Sequence, residues 1–128
     1  MELARLVAGA LSRGGFSSEF AGVPSALDAE APIVLREGPF ERTARMEGEE
    51  RGTVAIAALV VRDEAARAEG DARACERIVR ATPWDALGEA AGWRVRGLDT
   101  SAPRDAGRDG SGRYLWAFDV VLSVARML

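Results

Sequence analysis

Tyr114-Leu-Trp-Ala-Phe-Asp-Val-Val-Leu-Ser-Val-Ala-Arg126 alternates with period two. Its even positions carry Tyr114, Trp116, Phe118, Val120, Leu122 and Val124; its odd ones carry Leu115, Ala117, Asp119, Val121, Ser123 and Ala125. Aromatic and β-branched residues in alternation indicate a strand, not a helix. At ~3.3 Å per residue the stretch extends roughly 43 Å, well beyond the usual strand. The even face is a wall of large side chains and demands a core. The odd face is small and apolar with a single carboxylate, an unusual composition for a face that meets only water.

Around this strand, 128 residues fit one α+β domain spanning residues 1–128. A formal net charge of -3 is a poor basis for nucleic-acid binding, which draws on a net basic patch. No apolar run is long enough to cross a bilayer. The apolar stretch near the start is interrupted by Arg5 and Arg13, unlike a signal peptide. The lone Cys75 has no internal disulfide partner, which fits a reducing compartment. The chain has no His, and all 17 basic residues are Arg. Ser-His-Asp triads, imidazole metal sites, Schiff-base lysines and P-loop lysines are thereby excluded.

Residues 2–13 read as a helix with Leu3, Leu6, Val7, Ala10 and Leu11 on one stripe, closed by Gly14-Gly15. Ser25 to Asp28, after Pro24, reads as the start of one helical turn. Residues 32–37 form a short strand. Residues 40–52 are polar and charged, and read as an extended arm or loose hairpin, with a disordered loop as the alternative. Residues 53–62 are apolar on both faces, as a strand in the middle of a sheet would be. Asp63 is placed to cap a helix over 63–81, whose stripe is Ala65, Ala68, Ala72, Cys75 and Val79. Glu69 with Arg73 and Glu76 with Arg80 are i,i+4 pairs, each contributing ~0.3 kcal/mol. Gly70-Asp71 is a candidate break in this helix. Thr82-Pro-Trp-Asp85 carries the signals of a second helix start, running to Ala91.

Residues 93–100 are a further strand. With residues 105–112 as a loop, 93–100 and 114–126 make a hairpin whose loop is too long for a tight turn. If Trp93 and Val95 share the core face of the last strand, paired residue numbers have an odd sum. The most compact choice sets Arg96 opposite Asp119 on the outer face, and a bulge at Gly97 is the way this would fail.

The Asp/Gly-rich stretch 104–113 lacks both the alternating oxygens and later Glu of a calcium loop and the Lys and following helix of a phosphate loop. Cys75, on an apolar stripe, reads as a core residue and not a reactive thiolate. Glu47, Glu49 and Glu50 read as a solvated charge run. Trp84, Trp93 and Trp116 read as packing residues. No catalytic, cofactor or metal residues are assigned, and the chain is read as a non-enzyme.

The elements run helix, strand, arm, strand, long helix, short helix, strand, loop, strand. With Pro32-Ile-Val-Leu-Arg-Glu-Gly38, with Val-Val-Arg-Asp63 leading into an Ala/Arg/Glu helix, and with the closing aromatic strand, this order resembles the small tail-terminator, tail-completion and minor capsid proteins of long-tailed bacteriophages and prophages. The resemblance covers nearly the whole chain and rests on no invariant motif, so no functional residue is transferred by it. It implies a structural subunit of a ring, taken as six-fold, that caps the tail tube or joins it to the head connector. Such a subunit is a virion component assembled in the bacterial host cytoplasm, with no membrane and no sequence-specific nucleic-acid contact. The fold expected is α+β, a mostly antiparallel sheet of about four strands with a C-terminal hairpin and helices chiefly on one face. Candidate contact residues are Phe40, Arg42, Arg45 and Met46 on the arm and Arg104, Arg108 and Arg113 on the loop. The alternative is a cytoplasmic ferredoxin-like module binding a small molecule as a dimer.

Overall fold

The computed structural model describes residues 2–21 and 32–128; the turn expected at Ser25 to Asp28 lies outside them. The elements are α1 (Glu2–Arg13), β1 (Glu19–Phe20), β2 (Ile33–Met46), β3 (Glu49–Arg62), α2 (Ala65–Ala81), one 3-10 turn (Trp84–Ala86), β4 (Glu89–Ala90), β5 (Trp93–Thr100), β6 (Arg104–Arg108) and β7 (Tyr114–Met127). The sheet runs β1-β2-β3-β7-β5-β4, with β6 also paired to β7. Only β1 against β2 is parallel.

The four-stranded, mostly antiparallel sheet is therefore corrected: seven strands form one curled, mixed sheet, a half-barrel. The added strands are β1, β4 and β6, and residues 40–52 lengthen β2 and β3. Residues 40–52 are strand throughout their length except for a turn at Glu47-Gly48, where Gly48 has φ +76. They pair from Phe40↔Val54 to Met46↔Glu49, so the disordered-loop reading falls. Residues 104–108 are a strand against Ala117 to Tyr114, and a tight turn closes it through Gly112 N–H to Asp109 O at 3.0 Å. Residues 41–46 and 104–108 do not alternate in hydrophobicity, because both of their faces are exposed. Backbone pairing to β3 and β7 forms them instead.

Core and outer faces follow the alternation of β7. Phe118, Val120, Leu122 and Val124 are buried, alongside Val54, Ile56, Ala58 and Val60 of β3. Leu3, Val7 and Leu11 of α1 and Ala72, Cys75 and Val79 of α2 cover them. The α1 C-terminus is a Schellman motif: Phe16 N–H donates to Leu11 O at 2.9 Å and Gly15 N–H to Ser12 O at 3.0 Å, with Gly15 at φ +95. Its N-terminus is capped from the sheet, where Glu37 Oε1 of β2 accepts the Ala4 N–H at 2.7 Å.

Three local expectations are corrected. Residue 64, not Asp63, occupies the α2 cap position, and it makes no side-chain cap bond; the helix then runs unbroken past Gly70 to Ala81. The second helix is reduced to the 3-10 turn, because Gly88 (φ +84), Ala91 (φ +53) and Gly92 (φ +81) turn the chain into β4 and β5. Val95 pairs with Val124, and β5 then slips by one residue, so that Gly97 faces Ser123. The ladder already lies four residues from the compact register, with Val95 opposite Val124 where that register needs Val120, so Arg96 misses Asp119 even before the slip. Asp119 is met instead by Arg104 Nη1 at 3.2 Å, while its amide donates to Ser101 Oγ at 2.8 Å.

Gly52 is buried between β2 and the ring of Phe40, and a Cβ there would collide with the Glu41 carbonyl and that ring. Gly52→Ala is expected to lower stability by about 1–3 kcal/mol, as overpacking does, with a change in Trp93 fluorescence because Phe40 packs on Trp93. Glu37→Ala is expected to lower the urea midpoint by an amount corresponding to about 1 kcal/mol, the usual cost of losing an N-cap. An unchanged midpoint would show that α1 takes no stability from Glu37.

Candidate functional site

Strands β2, β3 and β7 are each 14 residues long, which at ~3.3 Å per residue is roughly 46 Å. Helices α1 and α2 have 12 and 17 residues, or about 18 and 26 Å at 1.5 Å per residue. The sheet therefore outruns the helices that cover it. Its overhanging part is a three-stranded blade built from the β2–β3 hairpin and the end of β7, in register from Glu49↔Met127 and Glu50↔Arg126 onward. Residues 41–48 are all exposed.

At the root of the blade, Phe40 and Trp93 lie with ring centroids 4.4 Å apart. The Arg126 guanidinium sits 4.4 Å over the Trp93 ring and reaches Glu50 at 3.5 Å. These side chains close the end of the core, so the candidate contact residue Phe40 belongs to packing. On the opposite face, Glu49 takes Arg51 at 2.8 Å and Arg94 at 3.6 Å. Met46, Glu49 and Met127 are direct cross-strand neighbours and share that face. Arg42 and Arg45 stand exposed on the arm, as does Met46.

The three loop arginines converge on the β6–β7 turn region, each with an internal partner. Arg104 pairs with Asp119. Arg108 lies 4.4 Å over the Tyr114 ring and donates to Gly112 O. Arg113 donates to Asp109 Oδ2 at 2.8 Å. Asp109 Oδ1 also accepts the amides of Ser111 (2.9 Å) and Arg113 (2.8 Å). This stretch is a stapled hairpin, where the sequence reading had residues 105–112 as a loop. The backbone bond from Arg113, ahead of its side-chain bond, the Ser111 amide and its charge, holds the Asp109 carboxyl below its usual value.

Among the described residues no helix lies on the outer face of the sheet, where Val61, Ala117 and Ala125 are nevertheless buried. Ala55, Ala57, Val121 and Ser123 are exposed there and Leu59 is half-buried. The small odd positions of the opening stretch were the signal for this face. Trp84, read as a packing residue, is exposed on the 3-10 turn beside a cleft of about 520 Å³ between the C-terminal ends of α1 and α2. That cleft had no sequence signal, because it is made by two helix ends that only the fold brings together.

Two buried charges serve architecture. Arg62 Nε donates to Asp71 at 2.7 Å and its Nη1 to Val61 O at 2.9 Å, tying the end of β3 to α2. Glu76 accepts Thr100 Oγ1 at 2.7 Å and Arg80 Nε at 2.9 Å, tying α2 to β5. Burial, then the Asp71 carboxylate, push the Cys75 thiol up to about 12 against the opposing pull of Arg62, so it stays protonated and unreactive at neutral pH. Among the described residues, no group of three or more Cys, Asp and Glu is placed to hold a metal ion, and no helix is long and apolar enough to cross a membrane. No protein-family model matches the chain, and no curated protein matches it significantly.

The sign of the Asp109 shift fixes its pH dependence. A carboxyl held below its unfolded value of about 3.9 contributes stability above that pH and loses it as pH falls through the lower folded value. The Ser111 and Arg113 amides are therefore expected to exchange slowly at pH 6 and to lose protection on acidification below about pH 4. In Asp109→Asn the difference between the two pH values is expected to shrink. Equal protection at both pH values in the wild type would remove the carboxylate from this role.

Proposed function

We propose that this chain is a structural subunit of phage virion assembly, a tail-terminator-like or head–tail joining protein that works as a homo-oligomeric ring. The observation that carries this reading is the blade: three strands that run past their helical cover and leave one sheet face bare of helix among the described residues. A lone domain gains nothing from strands extended into solvent, whereas a subunit uses them to reach its neighbours. The order of elements, with a long hairpin between the two helices and an aromatic strand at the sheet centre, supports the same assignment. The bare face is rich in small residues, so a neighbouring backbone can approach it closely. In a closed ring each subunit offers two different patches, and the blade and the helix-bearing side differ in this way. The tail tube and the head connector are the partners of the assembled ring, formed in the host cytoplasm. The small-molecule module has less support, since the cleft between the helix ends is open and ligand pockets bury most of the ligand.

Native mass spectrometry and negative-stain microscopy of the purified chain test this reading. Rings, or oligomers that become rings on addition of tail-tube protein, are the expected result. A strict monomer at high concentration that ignores tail-tube and connector proteins would overturn it.

A further inference from the structure

Among the described residues, exposed large apolar side chains are few, and most of them sit at two places. Met46, Met127 and Leu128, at 48, 78 and 60 % exposure, are at the blade tip; Trp84, at 48 %, is on the 3-10 turn between Pro83 and Ala86, which line the cleft between the helix ends. The tip is one surface: Met46 and Met127 flank Glu49 in register, and Leu128 N–H donates to Gly48 O at 3.0 Å. The cleft is lined by Ala10, Ile78, Ala81, Pro83 and Ala86, with Arg13 its only charged wall. Its volume of about 520 Å³ falls within the roughly 300–1,000 Å³ of small-ligand sites, which is room for a few side chains and not for a whole element.

The two surfaces match in charge as well as in polarity. Glu47 stands exposed in the tip turn with no ion pair among the described residues, and Arg13 is likewise exposed and unpaired among them. The carbonyl ends of α1 and α2 add a negative potential at the cleft, but an exposed helix end amounts to about half a charge and is screened. The full charge of the Arg13 guanidinium outweighs it. Met46 lies on the sheet face opposite the helices, so a tip cannot reach the cleft of its own chain while β2, β3 and β7 stay paired.

We infer that the blade tip of one copy docks in the helix-end cleft of the next, with Met46 as the apolar anchor and Glu47 against Arg13. This rests on the ring reading and deepens it by naming the contact. The contact is heterologous, so it propagates head to tail until a rotation closes it.

Two exposed substitutions separate the surfaces: Met46→Asp spoils the tip, and Ala81→Trp fills the cleft. Each variant alone, with circular dichroism and melting temperature like the wild type, is expected to remain monomeric under conditions where the wild type assembles. Mixed, they are expected to give a 1:1 dimer and nothing larger, because one supplies an intact cleft and the other an intact tip. Glu47→Arg and Arg13→Glu are each expected to weaken assembly roughly tenfold or more, as loss of an interface anchor does, and the double exchange to restore it. Wild-type-sized oligomers from both Met46→Asp and Ala81→Trp would overturn the tip-and-cleft contact while leaving the ring reading in place. A wild type that never assembles, with or without tail-tube protein, would overturn both.

Discussion

The pairing of β3 with β7 is the constraint from which the rest of this molecule follows. It runs without a bulge from Glu49↔Met127 to Arg62↔Tyr114, so two alternating sequences stay in phase along their whole length. Had either slipped by one residue, every buried side chain beyond the slip would have turned outward. Because neither does, Val54, Ile56, Ala58 and Val60 meet Phe118, Val120, Leu122 and Val124 on one face. Both helices settle on that face, and the small residues Ala55, Ala57 and Val121 are left together on the other. The irregularities of the sheet lie in the flanking strands, at Gly38-Pro39 and Thr43 in β2, at Arg96 in β5 and at Ala106 in β6. Proline is tolerated at such a bulge because it has no ladder bond to donate.

Charge contributes mainly by locating elements. Arg62 with Asp71 fixes the start of α2 against the end of β3, and Glu76 with Thr100 fixes its later turns against β5. Both Arg62 and Glu76 are nearly inaccessible, and losing one member of such a contact leaves the other desolvated and unsatisfied. The surface pairs differ in kind. Glu69–Arg73 is exposed on both sides, where an ion pair amounts to a few tenths of a kcal/mol. The two i,i+4 pairs looked alike in sequence, yet only Glu76 has a second partner from the sheet, and that partner was invisible along the helix.

What was legible was what repeats. The period-two pattern of residues 114–126 and 53–62 marked β7 and β3 and told their faces apart, and the apolar stripes marked α1 and α2. What escaped had no local signature. Residues 41–46 and 104–108 are exposed on both faces, so no alternation records that they are strands; their order is supplied by backbone bonds to a neighbour. The Arg96–Asp119 pairing failed because β5 lies four residues further along β7 than the compact register, with Val95 opposite Val124; alternation fixes a face but not the offset along the strand. Arg104 took its place from a stretch that had been read as loop. The tip and cleft surfaces belong to the same class, since Arg13, Ile78 and Pro83 are neighbours only after the helices have packed.

The cap on α1 carries a consequence for the order of folding. Its acceptor, Glu37, is 33 positions away from the amide it satisfies, and it sits on β2, whose own place depends on β3. A helix this short is marginal in water by itself. The first helix of the chain is thus completed by a sheet whose central ladder joins segments far apart in sequence. Such non-local closure makes for slow folding, and until it occurs the apolar stripe of α1 has no surface to rest on. A newly made chain would pass through an interval in which that stripe and the unpaired edge of β3 are both open to other chains.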